Sequence, residues 1–305
     1  AVLIIGAATF SLYQIVSDLR EKSMSDELLS GNINMEDRAV TLTVDGKTVF
    51  NLGDLSENTR LAGLDLKVES GVLKYKSGKG EQTAESGEIS IHEVSVPEIK
   101  MFKIVLPDGS GVWLNSGSRL SYPSSFDETS RVVSLDGEGY FEIAKDASRP
   151  FIVKGNGMSV RVTGTKFNFK AYSGDHKLSA TLVEGKVSVG YSDASGQEHI
   201  YKMKQGEQSN LNVREMKMEV KEVNTSLYTS WLDGLYFFDS QRLEDIMADL
   251  ERWYGVSVVF EDDALREKIL SGKLYREDSA EKMLESFEKL MPGHFKRDGK
   301  TVTVY

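Results

Sequence analysis

Between Ala39 and Val223 the chain reads as strand after strand. Short runs of Val, Ile, Leu, Phe and Tyr alternate with polar residues and stop at Gly, Asp or Asn about every dozen residues. Phe102–Leu106, Val112–Leu114, Tyr140–Ile143, Val160–Thr163, Lys166–Ala171 and Lys186–Tyr191 are examples, and helical spacing is absent throughout. Successive strand side chains point to opposite faces, so alternation commits each run to one buried and one outward face. The expectation is a mainly β chain with a long all-β unit, solenoid- or sandwich-like. Two echoes fit stacked hairpins: TVDGKTVFNL (Thr43–Leu52) resembles LPDGSGVWLN (Leu106–Asn115), and EGYFEI (Glu138–Ile143) resembles EGKVSV (Glu184–Val189). The sequence alone does not choose between solenoid and sandwich.

After Val223 the pattern changes. Trp231 to Tyr305 predicts a small α+β domain of two βαβ-like halves. Its first strand is Gly234–Phe238, followed by a helix capped by Asp239 that carries Leu243, Ile246, Met247, Leu250 and Trp253 on one face and ends at Gly255. Val256–Phe260 and Leu270–Leu274 read as further strands. Asp278 with Glu281 opens a second helix bearing Ala280, Leu284, Phe287, Leu290 and Met291, stopped by Pro292-Gly293. Two closing strands flank the turn Asp298-Gly299. A small sheet of this kind leaves an unpaired edge that a partner strand can join. Two edges are the candidates for that contact: Gly234, Leu235, Tyr236, Phe237 and Phe238, or Thr301, Val302, Thr303, Val304 and Tyr305.

Ahead of the β unit, Ala1–Val16 (AVLIIGAATFSLYQIV) is uncharged and almost wholly apolar. It is shorter than the roughly 20 residues that span a bilayer and has no basic flank, so it reads as the outer part of a transmembrane helix rather than a signal peptide. Residues 17–38 read as a polar stalk.

The net charge of −10 argues against nucleic acid, whose affinity depends on Lys and Arg displacing counterions. With no cysteine there are no disulfides, thiolate metal sites or cysteine nucleophiles. His92, His176, His199 and His294 share no metal-ligand spacing, and no cofactor is expected. Ser173, Asp175 and His176 bring triad residue types together, but consecutively in a turn that reads as a solvated loop tip. Gly137-Glu138-Gly139 and Gly78-Lys79-Gly80 lack the following helix of a phosphate loop and read as tight turns. Asp45-Gly46 and Asp108-Gly109 read as type I′ hairpin turns. Trp113, Tyr140, Phe141 and Phe167 are expected in the core. The residues assemble no catalytic set, so a non-enzyme is expected. The alternatives are a carbohydrate-binding or carbohydrate-active β scaffold in the cell envelope, or a structural part of a secretin-like machine.

Five ordered segments carry a resemblance: Ile104–Phe126, Arg131–Val153, Val160–Tyr172, Thr181–Val189 and Gln205–Ser209. Together they resemble the FecR domain, at about residues 100–210 on the typical scale of a domain. Trp231–Phe260 is similar to the C-terminal domain that follows it, itself similar to the short signalling domain of secretins and TonB-dependent receptors. Gly111 and Gln205 depart from the commoner residues of the family. The resemblance implies the periplasmic sensor of a single-pass inner-membrane anti-sigma factor. It also implies its partners: the N-terminal signalling domain of a TonB-dependent outer-membrane transporter, periplasmic and intramembrane proteases, and an extracytoplasmic-function sigma factor held by a cytoplasmic domain outside this chain.

Overall fold

The computed structural model describes residues 39–52, 60–61, 64–69, 72–75, 89–193, 195–276, 279–289 and 294–305. The expected membrane segment and stalk, Gly78-Lys79-Gly80, Asp278 and Leu290–Gly293 lie outside them. No helix among the described residues is long and apolar enough to cross a membrane.

Residues 39–305 form one compact unit. Its strands begin with β1 (Thr41–Val44), β2 (Thr48–Asn51), β3 (Arg60–Leu61), β4 (Leu64–Glu69), β5 (Val72–Tyr75) and β6 (Ile91–Ser95). Next come β7 (Phe102–Val105), β8 (Gly111–Leu114), β9 (Arg119–Pro123), β10 (Arg131–Glu142), β11 (Phe151–Gly155) and β12 (Met158–Val162). The β region closes with β13 (Lys166–Ala171), β14 (Lys177–Glu184), β15 (Val187–Ser192), β16 (Glu198–Met203), β17 (Glu207–Asn212) and β18 (Lys217–Glu222).

These strands pair into two layers. One runs β2-β1-β6-β9-β10-β11-β12-β15-β16. The other runs β4-β5-β7-β8-β10-β13-β14-β17-β18. The chain shuttles between them, mostly one hairpin at a time, so the unit is a sandwich in section and a coil in its winding. Inward residues of both layers, among them Leu42, Val94, Leu120, Ile104, Phe141, Phe151 and Phe167, share one apolar core.

The long strand β10 belongs to both layers. Arg131–Asp136 lies between β9 and β11, and Gly137–Glu142 lies between β8 and β13. Gly137-Glu138-Gly139 is therefore mid-strand and not the tight turn that two nearby glycines suggest. At Gly137 (φ 139°) a Cβ would come within 2.4–2.6 Å of Ser118, so only glycine lets β10 change layers there. Asp45 and Gly46 both have positive φ, as a type I′ turn requires. At Asp108-Gly109 only the glycine does, and the Asp108 carboxylate instead meets the buried Arg131 at 2.7 Å.

Phe141 and Phe167 are core residues, stacked at 5.0 Å. Trp113 is not: Val112 and Leu114 point inward, which leaves Trp113 on the outer face under Lys103, 4.0 Å from its ring. Tyr140 packs beside it at 5.7 Å, buried but outside the core cluster.

The C-terminal module contains β19 (Leu235–Arg242), α1 (Leu243–Tyr254), β20 (Ser257–Phe260), β21 (Ile269–Tyr275), α2 (Ala280–Glu288), β22 (Phe295–Asp298) and β23 (Thr301–Val304). The elements follow the expected order, but the halves interleave: β19 pairs with β21, while β20, β23 and β22 form a second sheet. Asp239 is not the helix cap. The strand continues past a bulge at Ser240 (φ 50°) and Arg242 is the N-cap. Ser279, accepting from the Lys282 amide, caps α2. Both helices bury their stripes in a separate apolar cluster that includes Phe238, Leu243, Leu250, Met283, Phe287, Val302 and Val304.

Candidate functional site

The stretch between the two parts is a folded strap. Asn224 caps a one-turn helix, Thr225–Tyr228, by accepting from the Ser226 amide. A 3-10 turn follows at Ser230–Asp233 and ends at Gly234 in the left-handed conformation (φ 68°). Trp231 is buried in this strap, and its indole Nε1 donates to Asn168 Oδ1 of β13 at 3.0 Å. Tyr and Trp buried in this way need a partner for their polar atom, and here the partner belongs to the β layer.

Beside Trp231, opposite charges from the β layer and the module meet. Lys170 Nζ of β13 lies 2.8 Å from both carboxylate oxygens of Asp249 on α1. Asp249 also accepts from Arg252 at 2.7 Å and from the Tyr236 hydroxyl at 3.0 Å. Arg252 in turn pairs with Asp175 and lays its guanidinium 3.8 Å from the centre of the Tyr172 ring. The Asp249 side chain keeps only 5% of its surface exposed and Lys170 20%. Burial pushes the Asp249 carboxyl up, but Lys170 and Arg252 more than offset it and hold it below the usual carboxylate range. Burial likewise opposes the Lys170 charge, and Asp249 and Glu138 outweigh it, so the ammonium is held above its ordinary value.

Glu138 lies on the layer side of this cluster, buried, with Asn115 Nδ2 and Asn168 Nδ2 each donating to one of its oxygens at 2.9 Å. Burial raises its pKa, with Lys170 and the two amides acting against the shift. One chain of contacts therefore runs Asn115–Glu138–Asn168–Trp231 through the layer and strap, next to the ion pairs of the module. Farther along, Arg276 donates to the carbonyls of Ile99 at 3.0 Å and Trp253 at 3.3 Å, and the Ile99 amide donates to the Arg252 carbonyl at 2.9 Å.

The Ser173-Gly174-Asp175-His176 turn is where the module lands, and not a solvated tip. Asp175 pairs with Arg252, and His176 faces Glu244 at 3.4 Å. His176, Glu244 and Asp245 bring ligand-type atoms within 4.8 Å of one another. Arg214 donates to His176 Nε2 at 3.1 Å, Arg242 and Arg266 meet Glu244 at 2.8 and 3.1 Å, and both acids stand in the first turn of α1. Three guanidiniums and the positive end of a helix oppose a cation there. The other histidines are dispersed: His92 in the β interior against the Tyr75 hydroxyl (2.7 Å), His199 on Asp193 (2.8 Å), His294 beside Tyr305.

The two expected edges differ in outcome. Thr301, Val302, Thr303 and Val304 form a central strand, paired with β20 on one side and β22 on the other, and so offer no edge. Tyr305 follows it, 47% exposed. Leu235–Phe238 begin β19, which among the described residues pairs with β21 alone, while Gly234 is the cap before it. Tyr236 and Phe238 are buried, and Phe237 meets Tyr228 of the strap edge-to-face at 5.3 Å. A cleft of about 880 Å³ runs between β19 and the outer face of β14, β17 and β18. On β21, Ile269 and Tyr275 are exposed.

Asp249 was the least visible of these residues. It lies three residues after Ile246 and four before Trp253, on the face otherwise given to apolar side chains. A carboxylate inside a helical apolar stripe is the signal that marks it.

Residues 92–188 match the family model of the FecR protein, and residues 235–304 match FecR, C-terminal. Two crystal structures from Parabacteroides distasonis ATCC 8503, each provisionally described as an anti-sigma factor, are similar to this chain. They have TM-scores of 0.66 and 0.65 at 26% and 27% identity, and each match covers 70% of this chain and 98% of the other. No curated protein matches. The chain belongs to the FecR family of anti-sigma factors, and its role is regulatory.

Proposed function

We propose that this region is the periplasmic sensor of a membrane-anchored anti-sigma factor, anchored through the apolar segment at Ala1–Val16. Its input is the N-terminal signalling domain of a TonB-dependent outer-membrane transporter. Its output passes, by proteolysis in the periplasm and the membrane, to an extracytoplasmic-function sigma factor bound by a cytoplasmic domain. The observation that supports this most is the two-stranded sheet β19–β21, which lies within the segment matching the family's C-terminal domain and has only two strands. Among the described residues each strand keeps one side unpaired, and unpaired N–H and C=O groups let a partner strand bind without a deep pocket.

The test is binding of the chain to the signalling domains of transporters encoded beside it, by calorimetry. The expected result is micromolar or tighter affinity for one of them. Ile269→Asp with Tyr275→Asp, both exposed on β21, should weaken it at least tenfold while leaving the melting temperature unchanged. If the folded chain binds none of these domains, the proposed input is wrong.

A further inference from the structure

We infer that the contact between the C-terminal module and the β layer is a latch, a reversible docking held closed by the Lys170–Asp249–Arg252–Asp175 cluster, and that its release uncovers the unpaired side of β19.

Three observations carry this. The first concerns what is missing at the seam. Among the described residues, the apolar core of the β unit and that of the module share no residue, so no continuous hydrophobic cluster crosses between them. Parts of one chain joined by a small polar surface move relative to each other unless a large apolar interface prevents it.

The second is the chemistry of what does cross. Lys170 bonds both oxygens of Asp249 at 2.8 Å, and Arg252 pairs with Asp175 while stacking on Tyr172. Buried ion pairs attract strongly, yet each ion regains its hydration when the pair separates, so the closed and open forms differ by less than the attraction alone implies. Such a seam separates more easily than an apolar one of equal size. Removing Lys170 takes the bidentate counter-charge from the buried Asp249, which keeps only Arg252, and favours opening.

The third is position. Around β19, the Tyr236 hydroxyl shares Asp249 with this cluster, Asp239 lies 3.6 Å from Lys221 of β18, and the strap meets it through Phe237 on Tyr228 and Ser230 Oγ on the Leu235 carbonyl at 3.0 Å. The β19 residues Leu235, Tyr236, Phe237 and Asp239–Arg242 border the 880 Å³ cleft. Undocking turns that confined side into an accessible strand edge.

The chain has no cysteine, so two introduced ones report the distance cleanly. Lys202→Cys on β16 and Lys273→Cys on β21 place spin labels at exposed positions on the two parts. The otherwise native chain should give one short distance. Lys170→Met should add a second, longer population, and Lys170→Arg, which keeps the cation, should not. Should Lys170→Met not fold, Arg252→Gln, which removes the cation paired with Asp175 and Asp249, takes its place with the same expectation. A folded opening variant with an unaltered distance distribution overturns the latch. A final arm rests on the transporter reading above: the Lys170→Met chain should bind the signalling domain about tenfold more tightly than the native chain. Equal affinities overturn the claim that release uncovers a binding edge. No binding by either chain, with the longer distance present, sinks the transporter reading and leaves the latch standing.

Discussion

The β unit and the C-terminal module solve the same problem on opposite plans. In the β unit nearly every strand of both layers contributes alternate residues to one core running from Val40 to Met218. In the module, two helices cover two small sheets, and the core is a compact cluster around Phe238, Met247 and Phe287. The first spreads its stability along the chain, whereas the second concentrates it. The difference explains the polar seam: each part has its own apolar cluster, and the contacts between them are mainly ion pairs, hydrogen bonds and a few ring contacts.

The largest effects should come from the two cores and should differ in reach. Phe167→Ala removes a fully buried ring stacked on Phe141 and should cost about 3–5 kcal/mol. Because β13 also carries Asn168 and Lys170, the loss should loosen the module as well. Phe287→Ala should cost a similar ~3–5 kcal/mol but free the amides of the module alone. Hydrogen exchange distinguishes the two, and equal loosening of both parts by Phe287→Ala would break the comparison.

The seam comes next. Asp249→Asn leaves Lys170 without its counter-charge, at a cost of about 3 kcal/mol. The Asp249 carboxyl is depressed in the folded chain, so its contribution is present above the ordinary carboxylate value of about 4 and is lost as pH falls through the lower folded value. Urea midpoints measured against pH should show that acid limb in the native chain and a weaker one in the Asn variant.

Trp113→Ala sharpens the account of the outer face. A core tryptophan would cost ~3–5 kcal/mol, but Trp113 loses only partial burial and the Lys103 contact, about 1–2 kcal/mol. A measured loss above 3 kcal/mol would return the residue to the core.

Glu138 should behave in the sense opposite to Asp249. Burial raises its folded pKa, so its protonated form is favoured: stability is full below the ordinary Glu value near 4.3 and declines as pH rises through the folded value. Relative to the native chain, Glu138→Gln should therefore gain with rising pH. A stability difference independent of pH would contradict the assignment.

The smallest expected effect is none. The His176, Glu244 and Asp245 group is neutralised by three arginines, so chelator should leave the melting temperature unchanged. A fall of several degrees would identify a bound metal.

What could be read from the sequence was whatever depends on neighbours in the chain. Period-two alternation marked the strands, the stripe Leu243–Trp253 marked α1, and Asp45-Gly46 marked its turn, because backbone sterics and side-chain direction act over a few residues. The same local logic misread Gly137-Glu138-Gly139, whose first glycine serves a strand passing Ser118, nineteen residues back along the chain, and not a turn. It placed Trp113 inward, since alternation gives two faces without saying which is covered. It also offered Thr301–Val304 as an edge, because pairing on both sides depends on β20 and β22 arriving from elsewhere. The seam was the least legible part. Lys170 and Asp249 are 79 residues apart, too far for either residue type to announce the other, and Trp231 and Asn168 are separated by 63. An isolated Lys or Asp reads as a solvated surface charge. Only the tertiary structure, by excluding water from between two parts with separate apolar clusters, turns these residues into partners.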